Sequence, residues 1–167
     1  MADLEQVADY LERQQLTVVT AESCTAGLAA GALADIPGCG TWFKSGYITY
    51  SPGAKHAILG VRFETIERFN LTSEEVAREM AEGVLRISDA SVAISNTGVA
   101  GPGNGDGGIP AGTVCFAWGF RHGGQVMVFS ETMHFEGDRN AVRQAAAYHA
   151  LGRIPHWHRQ LPQGAKA

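Results

Sequence analysis

LTVVTAESCTAGLAA, residues 16–30, decides how the rest of the chain is read. Leu16 to Thr20 is an apolar, β-branched run, and Ala26 to Ala30 is a run of small residues. The pair reads as strand, sharp turn, helix, with Ser23 at the carboxyl end of the strand. Ligands in open α/β sheets bind outside that end, where helix N-termini offer free N–H groups to anions and developing oxyanions. Two roles are therefore open to Ser23: a helix N-cap, which serine fills often, or a reactive hydroxyl facing a ligand.

Working outward, apolar Leu4, Val7, Ala8 and Leu11 form one stripe of a helix over about residues 2–13. Ser45 to Tyr50, SGYITY, reads as a second strand. Ser51-Pro52 then opens a short helix closed by Gly60, serine being favoured at the N-cap and proline at the first helical position. Thr72-x-x-Glu75 is a capping box for a helix carrying Val76, Met80 and Val84. Another strand, Ser91 to Asn96, runs into a glycine-rich stretch. Strands follow at Thr113 to Trp118 and Gln125 to His134, joined as a hairpin around Gly123-Gly124. The last helix runs from about Asp138 to Gly152. These elements predict an α/β fold: a single-domain, three-layer α/β/α sandwich with a mixed sheet, covering residues 1–154. Residues 155–167 read as a frayed tail.

Composition narrows the function classes. The chain has 167 residues, 45% of them hydrophobic, enough for one sizeable core. A net charge of −4 without any Lys or Arg run argues against nucleic acid as a partner. No apolar stretch is long enough for a bilayer, and residues 1–14 lack the pattern of a secretory signal. Cys24, Cys39 and Cys115 have no metal-ligand spacing, so no disulfide framework and no metal site is expected; a cytoplasmic location fits. Cys24, beside Ser23, reads either as a rival nucleophile or as a small core residue.

Three further groups can carry chemistry. Lys55 falls in the first turn of the short helix, where the helix dipole disfavours an ammonium; it reads as a general base of lowered pKa or as a solvated surface lysine. Gly98 to Gly112 holds seven of the 21 glycines, and its first half leaves a strand directly. Such backbone can approach a phosphate or oxyanion closely. It is neither a Walker loop nor a GxGxxG fingerprint. Gly103 to Gly108 reads as a flexible surface loop that tolerates substitution. Arg139 and Arg143 lie four apart, on one face of the last helix, suited either to a bound anion or, for Arg139, to an ion pair with Glu136 or Asp138.

Four segments, TAESCTAG, GTWFKSGYITYSPGAKHAILGV, SNTGVAGPGNGDGGIPAGTV and FEGDRNAVRQAAAYHAL, together resemble the CinA carboxyl-terminal domain family, in order and from Leu16 to Leu151. Stand-alone members of that family are nicotinamide-nucleotide amidases. The resemblance implies hydrolysis of the carboxamide of nicotinamide mononucleotide to nicotinate mononucleotide and ammonia, a step of pyridine nucleotide salvage, with no cofactor. It assigns Ser23 as nucleophile, Lys55 as general base and Tyr50 as an active-site tyrosine. Thr25, Thr97, Gly98, Gly101, Arg139 and Arg143 become the substrate-binding set, with Arg139 on the phosphate. Larger family members add an amino-terminal domain that this chain is too short to carry. The family's competence and damage label does not establish DNA binding. Ala26 stands where the family commonly has the first glycine of ESCTGG; a helix-compatible alanine there should matter little. A catalytically silent nucleotide-binding module is the rival reading, and a homo-oligomer is compatible with either.

Overall fold

In the computed structural model, which describes residues 2–162, the opening stretch forms β1 (Val18–Glu22), a sharp turn and α2 (Leu28–Ala34). α1 (Leu4–Arg13) precedes them, capped by Asp3, whose carboxylate accepts from the Glu5 and Gln6 N–H groups. Then come β2 (Phe43–Ile48), α3 (Pro52–Leu59), α4 (Phe63–Phe69), α5 (Glu74–Arg86) and β3 (Val92–Gly98). The hairpin of β4 (Thr113–His122) and β5 (Gln125–His134) leads to α6 (Arg139–Gly152) and α7 (Ile154–His158). One sheet, ordered β2-β1-β3-β4-β5, joins all five strands. β1 pairs in parallel with β2 and β3, and the β3–β4 and β4–β5 pairs are antiparallel, so the sheet is mixed.

β1 is buried along its whole length because both faces of the sheet are covered. Val18, Ile94, Phe116 and Trp118 face α1, α2, α6 and α7, packing with Leu11, Leu33, Val142 and Leu151. Val19, Ala21, Ala93 and Ala117 face the other way, onto Leu59, Val76, Met80 and Leu85. The result is the three-layer α/β/α sandwich. α2 follows β1 on one face, while α3 to α5 return over the opposite face to β3. The carboxyl ends of β1 and β3 thus border a crevice of the kind where ligands sit in open α/β sheets.

Several boundaries differ from the sequence expectation for physical reasons. Ala26 (φ 47°) and Gly27 (φ 96°) are both left-handed, so α2 cannot begin before Leu28, and Ser23 is not its N-cap. β2 ends at Ile48 rather than Tyr50, which frees the Thr49 and Tyr50 carbonyls from the ladder. Ser73, not Thr72, caps α5: its Oγ accepts from the Val76 N–H and donates to the Asn70 carbonyl. α4 is an element the hydrophobic pattern did not announce. The frayed tail expected from residue 155 is a helix through His158, with Ile154 fully buried, Trp157 stacked on Phe129 at 5.1 Å, and the Tyr10 hydroxyl 2.9 Å from His158 Nδ1. Residues 163–167 of that tail lie outside the described residues.

Candidate functional site

β1 carries Ser23 to the crevice, and three side chains far apart in sequence shape the turn around it. Glu22, the last residue of β1, is buried, and its carboxylate accepts from five donors. These are the hydroxyls of Thr20 (3.2 Å) and Thr25 (2.6 Å) and the N–H groups of Gly27, Ala29 and Ala30 at 2.8–3.1 Å. A carboxylate on the opening N–H groups of a helix offsets their positive end. Glu22 therefore performs for α2 the capping that Gly27 cannot. Asn96, near the end of β3, donates through Nδ2 to Thr25 Oγ1 at 2.9 Å. Its Oδ1 accepts from the Ser23 N–H at 3.4 Å. From α6, Arg143 donates Nε to the Cys24 carbonyl at 2.9 Å and Nη2 to the Thr25 carbonyl at 3.0 Å.

Lys55 reaches the serine from the other side of the strand end. Ser51 caps α3, with Pro52 at the first helical position and Gly60 (φ 72°) closing it, as the sequence predicts. Helical side chains lean toward the N-terminus; that of Lys55 leans back past the end of β2. Its Nζ donates to Ser23 Oγ at 2.8 Å, to the Thr49 carbonyl at 2.7 Å and to the Tyr50 carbonyl at 3.3 Å. Lys55 is fully buried, which excludes the solvated surface lysine. Burial brings its ammonium down from 10.5 to about 8, and this loss of hydration is the largest cause, rather than the helix dipole invoked from sequence. The neighbouring Cys24 thiol is pushed up to about 12, again by burial first. It stays protonated near neutrality and is a poor nucleophile.

Beside this pair lies a cavity of about 290 Å³, at the lower end of the range for small-molecule sites. Cys24 and Tyr50 line it, as do Gly98 to Gly101, Arg139, and a far wall from Leu71 and Asp106. Arg139 makes no ion pair with Glu136 or Asp138; Asp138 caps α6 instead. Its guanidinium donates to the Gly101 carbonyl at 2.6 Å and to the Tyr50 hydroxyl at 3.0 Å. An exposed cation thus stands at the cavity with part of its donor fork uncommitted.

Of the residues expected to contact substrate, Tyr50, Gly98, Gly101 and Arg139 line the cavity. Thr25, Thr97 and Arg143 do not, and neither do Ser23 and Lys55, which the cavity borders through Cys24 and Tyr50. The Thr25 hydroxyl is held between Glu22 and Asn96, and that of Thr97 donates to the Leu71 carbonyl at 2.9 Å. Arg143 spends its donors on the turn. The stretch from Gly103 to Gly108 is folded rather than loose: Gly105 bonds the Ile109 carbonyl at 2.8 Å and lines the cavity, and a Cβ on it would run into the Val99 side chain. Glu22 and Asn96 were not anticipated. Their signal was present, because a buried acid or amide at a strand end must find partners. Among the described residues, no group of three or more His, Cys, Asp or Glu side chains could hold a metal ion. Among the same residues, no helix is long and apolar enough to cross a membrane.

Fold and site together define a class: a three-layer α/β protein with a crevice at the carboxyl ends of its parallel strands, where a buried lysine meets a serine. Within that class the chain belongs to the CinA C-terminal domain family, whose model matches residues 2–157. It is 46% identical over 134 residues to the nicotinamide-nucleotide amidohydrolase PncC of Enterobacter agglomerans, covering 80% of each chain. It is 47% identical over 136 residues to a CinA-like protein of Chlorobium phaeobacteroides, covering 81% of this chain and spanning 32% of that longer protein. The crystal structure of the competence damage-inducible protein A from Klebsiella pneumoniae superposes with a TM-score of 0.87 at 37% identity, covering 95% of this chain and 96% of that one.

Proposed function

We propose that this chain is a nicotinamide-nucleotide amidohydrolase, converting nicotinamide mononucleotide and water to nicotinate mononucleotide and ammonia. The observation that carries the reading is the 2.8 Å contact between the buried Lys55 Nζ and Ser23 Oγ, at the strand end beside the cavity. A neutral lysine amine has two N–H donors and one lone pair. The Thr49 and Tyr50 carbonyls satisfy the donors, which leaves the lone pair for the serine proton. The naming of the Enterobacter relative supplies the substrate.

Ser23 Oγ attacks the carboxamide carbon while Lys55 takes its proton. The Cys24 N–H, on the residue after the nucleophile, would receive the oxyanion, as that N–H often does. On collapse the C–N bond breaks, the Lys55 proton leaves with ammonia, and a nicotinoyl ester remains on Ser23. Lys55, neutral again, takes a proton from the water that attacks this ester; as the acyl–Oγ bond breaks, that proton passes to Ser23 Oγ and the nicotinate mononucleotide is released. Arg139 meets the phosphate at the cavity and Tyr50 orients it. No step calls for a metal or organic cofactor.

Ser23→Ala tests the reading. The variant should fold, bind nicotinamide mononucleotide and release no ammonia above background, whereas Cys24→Ala should stay active. Ammonia release that survives Ser23→Ala and disappears with Cys24→Ala moves the nucleophile to the thiol. Tight binding by the wild type without release makes the chain a binding module instead.

A further inference from the structure

Arg143 lies one helical turn beyond Arg139 on α6, yet among the described residues its hydrogen bonds go to the backbone that follows Ser23. The peptide plane between Cys24 and Thr25 is held at both ends. Its carbonyl accepts from Arg143 Nε at 2.9 Å, and its N–H faces Asn96 Oδ1 at 3.5 Å on the opposite side. Carbonyl and N–H of a trans peptide point in opposite directions, so a grip on each end fixes the rotation of the plane. The next carbonyl, of Thr25, accepts from Arg143 Nη2, which locks a second plane in the left-handed stretch through Ala26.

We infer that Arg143 is a positioning residue: its guanidinium clamps the Cys24 and Thr25 carbonyls against Asn96 and thereby fixes the turn that holds Ser23 Oγ on Lys55 beside the cavity. The inference rests on the proposed role of Ser23 for its consequence in catalysis, but the clamp itself does not. Bidentate geometry explains why the position needs arginine, since a lysine ammonium cannot match two carbonyls with a planar fork. Arg143 does not line the cavity, so the donors it has left are not presented to a phosphate bound there.

The experiment compares Arg143→Ala and Arg143→Lys with wild type by amide exchange of the 23–26 segment, by the rate at which a fluorophosphonate labels Ser23, and by turnover. In Arg143→Ala, exchange should rise at least about tenfold while the sheet stays protected. The labelling rate and kcat should fall together, about 10- to 100-fold, with KM for the mononucleotide and its riboside shifting equally and by less than about threefold. Millimolar methylguanidinium should restore part of the lost kcat in Arg143→Ala, and Arg143→Lys should recover little. If the alanine variant does not fold, the lysine variant supplies the same readings. Unchanged exchange overturns the clamp whatever Ser23 does. A KM rise confined to the mononucleotide returns Arg143 to the phosphate. Loss of thermal stability with normal exchange, labelling and kcat reduces it to a fold contact. A wild-type protein that neither labels at Ser23 nor releases ammonia defeats the nucleophile reading and leaves the exchange result to judge the clamp.

Discussion

Lys55 offers the sharpest test, because its burial makes the same group visible in both activity and stability. A base of pKa about 8 is neutral in about one molecule in ten at pH 7 and one in a hundred at pH 6. If the neutral amine is the working form, kcat should rise about 50-fold from pH 6 to pH 8 and less than about twofold from pH 8 to pH 9. A lysine at its ordinary 10.5 would instead give a further rise of about tenfold over that last unit. The second ionisation of the substrate phosphate falls near pH 6, below the deciding window.

Stability must follow with a fixed sign. The folded pKa lies below the unfolded one, so between pH 8 and 10.5 the unfolded chain holds more protons and the native state gains stability as pH rises. Below pH 8 the full cost of burying the amine is present, about 3 kcal/mol for a shift of this size. Lys55→Met removes that proton linkage while keeping the stem. Its bonds to Thr49, Tyr50 and Ser23 are lost at every pH, so that loss cancels in the pH dependence. Urea denaturation from pH 7.5 to 10.5 should show the stability of Lys55→Met falling relative to wild type by about 3 kcal/mol across the window. The same variant should lower kcat about 10²- to 10⁴-fold. Parallel stability curves, together with activity still climbing at pH 10, would refute a depressed Lys55.

Arg139→Ala should raise KM about tenfold to 150-fold for the mononucleotide and little for its riboside, the weight of a charge-assisted contact of about 1.5–3 kcal/mol. Equal losses for both substrates would place Arg139 in the scaffold. Gly105→Val should impair binding through its collision with Val99, and Gly101→Val should do so through its φ of 85°; substrate titration against circular dichroism separates these from unfolding. Ala26→Gly should stabilise by about 0.5–1 kcal/mol in urea melts, since relief of left-handed strain of about 1–2 kcal/mol exceeds the entropy glycine adds to the unfolded chain. Treatment with EDTA should leave activity and melting temperature unchanged, and recovery of lost activity by one added divalent ion would contradict this.

What could be read in the sequence was short in range. The Ser51-Pro52 start, the Gly60 stop, the start of the last helix near Asp138 and the stripe of α1 each depend on residues within a turn or two, and the structure agrees with all four. The placement of Ser23 at a strand end was also local. Ala26 was misread because alanine's helix propensity says nothing of a position where the Glu22 carboxylate and Arg143 impose a left-handed backbone. The lowered pKa of Lys55 was legible only for a secondary reason: the helix terminus is local and readable, whereas the burial that moves its pKa needs β1, β2 and α3 assembled. Asn96 lies 71 residues from its partner Thr25, and Arg143 lies 119 from Cys24. No periodicity links such distances.

The two arginines of α6 share a spacing and a face, yet only Arg139 lines the cavity. Four residues apart on one helix face, they point the same way but differ by about 6 Å in height along the axis. At the N-terminal end, Arg139 stands level with Gly101 and Tyr50, where chain and solvent meet. One turn deeper, Arg143 stands level with the turn after β1, where the Cys24 and Thr25 carbonyls lack strand partners because the chain has just left the sheet. Buried carbonyls without donors are costly, so the deeper guanidinium is drawn to the backbone. The shallower one lines the cavity, where the proposed function puts the anion. Depth along the helix, which spacing alone does not encode, separates the proposed positioning cation from the proposed binding one.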